Sequence, residues 1–148
     1  MIPAMVVASH IADVLGGQQI LGRRLGSIAA LNDAVLQGLP KAALRRTASR
    51  IFASKTQQRQ LMNRIVPEAT FKRRRDRLSA AESERTERMA RVVANAEYVW
   101  DDGEDARRFL TTAHPALAGK TPIDAAMTEL GARQVEEILG KIFHGLPA

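Results

Sequence analysis

The chain has no cysteine and only one tryptophan, one tyrosine and four phenylalanines in 148 residues. Without thiols there is no disulfide scaffold and no thiolate metal site. With so few aromatics, none of them interleaved with the basic run, a stacking platform for single-stranded RNA is missing. His10, His114 and His144 are scattered, without the i, i+4 spacing of a helical metal pair. Gly16-Gly17 falls short of a phosphate-cradling loop. Asp101, Asp102, Glu104 and Asp105 lack the Asp-x-Asp-x-Asp-Gly pattern of a calcium loop and suit a helix start instead. No serine sits in a nucleophile elbow. The expectation is a protein that is not an enzyme, with no cofactor and no metal. No apolar run approaches the roughly eighteen residues that span a bilayer. No charged segment precedes a long apolar stretch at the N-terminus. A cytoplasmic protein without a membrane partner is expected.

Charge is present and unevenly distributed. Between Lys41 and Arg77 twelve Lys/Arg face two acids, a balance of +10, whereas residues 78–148 carry −4 and residues 1–40 balance at zero. A positive middle and an acidic last third predict a polyanion at one surface and a different partner at the other.

Strand signals are nearly absent, and apolar residues recur at three and four rather than at two. The spacing predicts helices over 10–15, stopped by Gly16-Gly17, and over 28–37, between a Ser27 cap and a Gly38 stop. Pro40 is placed in the first turn of a helix to about Ala53. Thr56 is expected to cap a helix to about Arg64, and Pro67 to open one to about Arg77. Ser79-x-x-Glu82 is a capping box with Leu78 before it. The long helix that follows buries Met89, Val92, Val93, Ala96, Val99 and Trp100 as one stripe and ends at Asp101-Asp102-Gly103. Thr121-Pro122-x-Asp124 starts a further helix. The last helix, from about Ala132 to His144, turns Val135, Ile138, Leu139 and Ile142 inward, with Phe143 suited to core or interface. The fold class is all-α, with a boundary between residues 1–77 and 78–148.

Three short helices in succession over the basic stretch fit a helix-turn-helix, whose later helix enters the major groove. On a helical wheel of 67–77, Phe71 and Leu78 face inward, while Ala69, Arg73 and Asp76 lie opposite, beside Thr70, Lys72 and Arg77. Arg73 or Arg77 suits guanine, and Lys72, Arg74 and Arg75 suit phosphates. Arg59 joins the same candidate DNA-contacting set. Glu68 is the one acid on this helix's first turn.

The last third carries an ordered series of motifs. RLSxxES stands at 77–83, Ala106 precedes Arg108-Phe109-Leu110, and HPALAGKTP occupies 114–122. Gly131, Val135 and Leu139 lead to a terminal Ile142-Phe143-His144-Gly145. This series resembles the C-terminal domain of the Xre/MbcA/ParS antitoxins, the partners of RES-domain toxins. Thr70-Phe71-Lys72-Arg73-Arg74 resembles that family's Thr-Leu-x-Arg-Arg run before RLS, and Ile11-Ala12-Asp13-Val14-Leu15-Gly16-Gly17 and Gly38-Leu39-Pro40 resemble the region ahead of its helix-turn-helix. The resemblance implies an Xre-like helix-turn-helix part followed by a helical toxin-binding domain. It implies a type II antitoxin that occludes the NAD pocket of a RES toxin with its C-terminal end and represses its own operon.

On that reading Lys120, Phe143, His144, Gly145, Leu146, Pro147 and Ala148 face the toxin. Pro147 limits the conformations lost on insertion, and the terminal carboxylate suits cationic groups that otherwise hold pyrophosphate. HPALAGKTP also reads as a plain turn in which Gly119 takes an unusual backbone angle. The expected partners are the toxin, operator DNA and a second copy of the chain, with higher toxin–antitoxin assemblies. A stand-alone repressor without a toxin, or an interaction module that does not bind DNA, is the alternative.

Overall fold

Six helices begin where a short polar side chain takes up a free backbone N–H of the first turn. In the computed structural model, which describes residues 6–148, Ser27 accepts from Ala30, Ser54 from Gln57 and Ser79 from Glu82. Asp102 accepts from Glu104 and Asp105, Thr121 from Asp124 and Thr128 from Gly131. Each such cap contributes about 1 kcal/mol. The helices are α1 (Ala8–Val14), α2 (Gly17–Leu21), α3 (Ile28–Gln37), α4 (Lys41–Ile51) and α5 (Lys55–Ile65). They continue as α6 (Glu68–Arg73), α7 (Ala80–Trp100), α8 (Gly103–Leu110), α9 (Pro122–Ala125) and α10 (Glu129–Phe143), with a 3-10 turn at Pro115–Leu117. No strand forms among the described residues; Pro40 and Arg77 make one isolated bridge.

The capping box predicted at Ser79 is complete. Ser79 Oγ accepts from the Glu82 N–H at 3.2 Å, and Glu82 Oε1 accepts from the Ser79 N–H at 2.8 Å. Helix α7 then places Ala90, Val92, Val93, Ala94 and Ala96 out of solvent. Consecutive buried residues mean burial on every side, as in a helix enclosed by its neighbours. Helices α1, α3 and α4 pack on it, as do α8 and α10. The apolar residues of α1 serve this packing: Ala8, Ile11, Ala12 and Val14 are buried. Among the described residues the fully buried core is aliphatic, without a single aromatic side chain.

Several boundaries depart from the sequence expectation. Helix α1 stops at Val14, ahead of the glycine pair as expected, but Gly16, at φ 114°, then caps a further short helix, α2, that the apolar spacing does not mark. Pro40 stands one residue outside α4, and α4 ends at Ile51. Ser54, not Thr56, caps α5, because its hydroxyl reaches the Gln57 N–H while Thr56 already lies within the first turn. Thr128 caps α10, which starts at Glu129, three residues before Ala132, and His144 is its C-cap rather than its last turn. Trp100 is not core: it is 37% exposed at the end of α7, where Asp101 in the left-handed region (φ 51°) turns the chain away.

The largest departure is α6, which stops at Arg73 instead of running to Arg77. Residues 74–78 extend and lie beside 38–41. The Leu78 N–H donates to Leu39 O at 2.8 Å and the Lys41 N–H to Asp76 O at 2.9 Å. Ser83 Oγ accepts from the Leu39 N–H at 2.8 Å. These long-range bonds replace the helical ones that the local pattern favours. Leu78 is buried, but from this extended segment and not from the inner face of α6. Gly38, at φ 99°, permits the approach, since a Cβ there would overlap the Leu78 carbonyl oxygen.

Candidate functional surfaces

Helices α5 and α6 form the turn at the centre of the basic stretch. Asn63 Oδ1 accepts from the Glu68 N–H at 2.7 Å and so caps α6 from the preceding helix. Phe71 is half-buried, with Lys41 Nζ 4.4 Å from its ring centroid and Arg45 Cζ 5.0 Å from it. These two cation–π contacts fasten α6 to α4. Beside it opens a cavity of about 460 Å³ whose lining includes Lys41, Arg45, Arg59, Asn63 and Lys72.

The predicted DNA-contacting residues divide into two groups. Arg59, Lys72, Arg73 and Arg75 are exposed, and Thr70 is partly so. Glu68 Oε1 lies 3.6 Å from Lys72 Nζ, so the acid is countered within its own helix. Arg74, half-buried, and Arg77, exposed but hydrogen-bonded to another segment, are engaged by the fold. Arg74 donates two hydrogen bonds of 3.1 Å to the Glu82 carboxylate. Burial opposes ionisation of Glu82, but Arg74 and Ser79 outweigh it and hold the carboxyl below its usual range. Arg77 Nη1 donates to Gly38 O at 2.8 Å. Lys41 and Arg45 belong to the basic surface but were not singled out by sequence; their i, i+4 spacing on α4 was the available signal.

Arginines also tie this unit to the rest of the chain. Arg85 donates to Ile65 O at 2.9 Å, and Arg88 to Ala126 O at 3.0 Å and Met127 O at 2.8 Å. Arg64 donates to Asp124 Oδ1 at 2.6 Å. That bond, with Thr121, holds the Asp124 carboxyl below its usual range against the cost of burial. Arg50 binds Glu97 through two bonds of 2.9 and 2.7 Å, and His10 Nε2 lies 3.3 Å from the same carboxylate. Burial raises the cost of charging Glu97, yet Arg50 and His10 hold its carboxyl below the usual range.

The HPALAGKTP segment is a closed turn. His114 Nδ1 accepts from the Ala116 N–H at 3.1 Å, and the His114 N–H donates to Lys120 O at 3.0 Å. Ala118 and Gly119 take φ of 56° and 82°, as the plain-turn reading requires for Gly119. The turn buries Leu117 and Ile123 and leaves Lys120 exposed.

The chain leaves α10 through a Schellman motif. The Leu146 N–H donates to Lys141 O at 2.8 Å and the Gly145 N–H to Ile142 O at 3.1 Å, with Gly145 at φ 69°. This satisfies the last carbonyls of the helix and directs Leu146-Pro147-Ala148 outward, all exposed. At the root of this tail Phe143, 47% exposed, lies 5.5 Å from the Tyr98 ring and 5.2 Å from that of His144. Tyr98 was not singled out in the sequence; its place two residues before the end of α7, off the apolar stripe, was the signal.

Among the described residues no cluster of three or more His, Cys, Asp or Glu is arranged to hold a metal ion. Nor is any helix among them long and apolar enough to cross a membrane. Two family models match the chain. The model of the antitoxin Xre-like helix-turn-helix domain matches residues 30–91, from α3 into α7. The model of the antitoxin Xre/MbcA/ParS C-terminal toxin-binding domain matches residues 95–145, from late α7 to the Schellman turn. No curated protein matches the chain. The two models adjoin within α7 and together cover about three quarters of the sequence, in the order expected of one architecture. The chain belongs to the Xre/MbcA/ParS antitoxins, with an Xre-like helix-turn-helix followed by a toxin-binding domain.

Proposed function

We propose that this antitoxin neutralises a RES-domain, NAD-consuming toxin by inserting its C-terminal end into the toxin's NAD pocket. The observation that carries this reading is the Schellman turn, which ends α10 and sends a three-residue, proline-stiffened tail into solvent. A tail already projecting from a rigid helix loses little entropy on insertion. Phe143, His144, Gly145 and Leu146 form its root, Pro147 and Ala148 its tip, and Lys120 is a separate contact on the exposed turn.

The structure also tells where to cut. A chain ending at Leu146 keeps both hydrogen bonds of the Schellman turn and loses only Pro147 and Ala148. NAD is measured in cells expressing the product of the reading frame next to this chain's gene, alone, with the full chain and with this shortened chain. The expected result is NAD collapse alone, recovery with the full chain and failure of the shortened chain at equal abundance. Rescue by both forms would move neutralisation to the helical surface. No NAD loss would end the RES assignment.

The same chain is proposed to repress its own operon as a homodimer on two half-sites. Thr70 and Arg73 of α6 are assigned to base edges, and Arg59, Lys72 and Arg75 to phosphates. Lys72→Ala and Arg75→Ala are each expected to weaken operator binding and to reduce the slope of log K against log salt by about one. Arg74→Gln is expected to act differently, lowering the melting temperature because Glu82 loses its partner, with the salt slope unchanged. Binding that ignores salt in all forms would leave an interaction module instead of a repressor. Fluorescence anisotropy at several salt concentrations, with thermal melts of the same proteins, separates these results.

A further inference from the structure

The aromatic side chains are where a core does not need them. Of the six aromatic residues in the chain, Tyr98, Trp100, Phe109 and Phe143 gather around the end of α7. Tyr98, Trp100 and Phe143 are 45%, 37% and 47% exposed, whereas the buried core among the described residues is aliphatic. Tyr98 and Phe143 adjoin the C-terminal tail. Trp100 lies on the other side of α7, since residues two apart on a helix point about 200° apart. There its ring lies 6.1 Å from Phe109, which lies 6.4 Å from His114.

Acidic groups border this second cluster. Asp101 and Asp102 follow Trp100 directly, and Glu104 and Asp105 open α8. Asp105 pairs with Arg108 at 3.1 Å, and Arg107 turns its Nε to Arg50 O at 3.2 Å. Among the described residues Asp101, Asp102 and Glu104 make no ion pair, so the rim is net negative. An exposed tryptophan resting on a partly buried phenylalanine inside a charged rim has the anatomy of an interface anchor. All of these residues fall inside the segment matched by the toxin-binding model.

We infer that Trp100, Phe109 and His114, with the acidic rim of Asp101, Asp102 and Glu104, form a second contact with the toxin, on a basic surface outside its NAD pocket. This rests on the proposed toxin partnership but not on the tail. The aromatic cluster supplies affinity and holds the antitoxin in register, while the rim speeds encounter with a cationic surface.

Trp100 is the one tryptophan in the chain, so 5-fluorotryptophan labelling gives a single fluorine resonance from the unmutated antitoxin. The purified product of the neighbouring reading frame is added to this chain, and its affinity by calorimetry and its association rate by stopped-flow are measured for wild type, Trp100→Ala and the Asp101→Asn/Glu104→Gln pair. The expected results are a shifted resonance on toxin addition and about tenfold weaker binding for Trp100→Ala. The charge pair should bind with slower association and a weaker salt dependence. An unmoved resonance, or wild-type affinity in Trp100→Ala, would overturn the second contact while leaving the toxin partnership intact. Absence of binding by the wild-type chain would overturn both. The fluorine readout needs no substitution, so it stands even where Trp100→Ala folds poorly.

Discussion

Gly131→Ala is expected to lower the melting temperature by about 10 °C, a loss of about 3 kcal/mol. The glycine lies in the first turn of α10, where its N–H donates to Thr128 Oγ1 at 3.0 Å. A Cβ at this position would overlap the carbonyl of Ala125, the last residue of α9. Both atoms belong to backbone, so no rotamer change relieves the clash, and α9 and α10 must separate. The core residues Ala132, Val135 and Leu139 follow on the same helix and are fully buried. Gly103→Ala provides the comparison, because open space surrounds the position of its Cβ. Thermal unfolding by circular dichroism reads both. A Gly131→Ala protein that melts with the wild type would refute the close approach. The sequence comparison with the Xre/MbcA/ParS pattern had singled out Gly131, but the reason for a glycine is the carbonyl of another helix.

Arg91→Met is expected to cost about 2 kcal/mol at neutral pH, less than the loss of one partner from a fully buried ion pair because this network is only partly buried. Arg91, on α7, sits 3.3 Å from Glu87, 3.1 Å from Glu129 and 3.0 Å from Glu136, joining α7 to α10. Burial pushes the Glu87 and Glu136 carboxyls above the usual range even with Arg91 opposing the shift. Without it both rise further. A carboxyl whose folded pKa exceeds its unfolded value binds more protons in the native state, so stability falls as pH rises between the two values. The variant is therefore most impaired at pH 7, and its deficit relative to wild type shrinks as pH falls to about 5. The Glu82 and Glu97 carboxyls, held low in the folded state, behave oppositely and lose stability on acidification. They are common to both proteins and cancel in the difference. Paired melts across this pH range test the sign. A deficit that is constant with pH would mean that Arg91 contributes packing alone.

These two positions mark how far local pattern reaches. Helix α3 runs from Ile28 to Gln37 between Ser27 and Gly38, as read from the chain, and the capping box starts α7 as read. Such signals are complete within four residues, because the donor, the acceptor and the backbone angle they require are neighbours. The end of α6 is not of this kind. Thr70 to Arg77 is compatible with continued helix, and the competing partners, Leu39 O and the Lys41 N–H, lie more than thirty residues earlier. Trp100 illustrates the same limit at a helix end. Periodicity placed it with Val99 and Ala96, but the helix stops at Trp100 and its neighbour Asp101 turns the chain outward.

Sequence alone determined the helical class, the charge division and the family, since motif order and capping residues are properties of the linear chain. It could not determine which cations remain free. Arg50, Arg64 and Arg91 meet Glu97, Asp124 and Glu136 across 47, 60 and 45 residues, and Arg74, past the end of α6, meets Glu82 on α7. A guanidinium reads the same in the sequence whether a carboxylate awaits it or solvent does. Packing of α4, α5, α7 and α10 around the aliphatic core decided that Arg74 and Arg77 brace the fold, and that the side chains of Arg59, Lys72, Arg73 and Arg75 bond to no other element among the described residues.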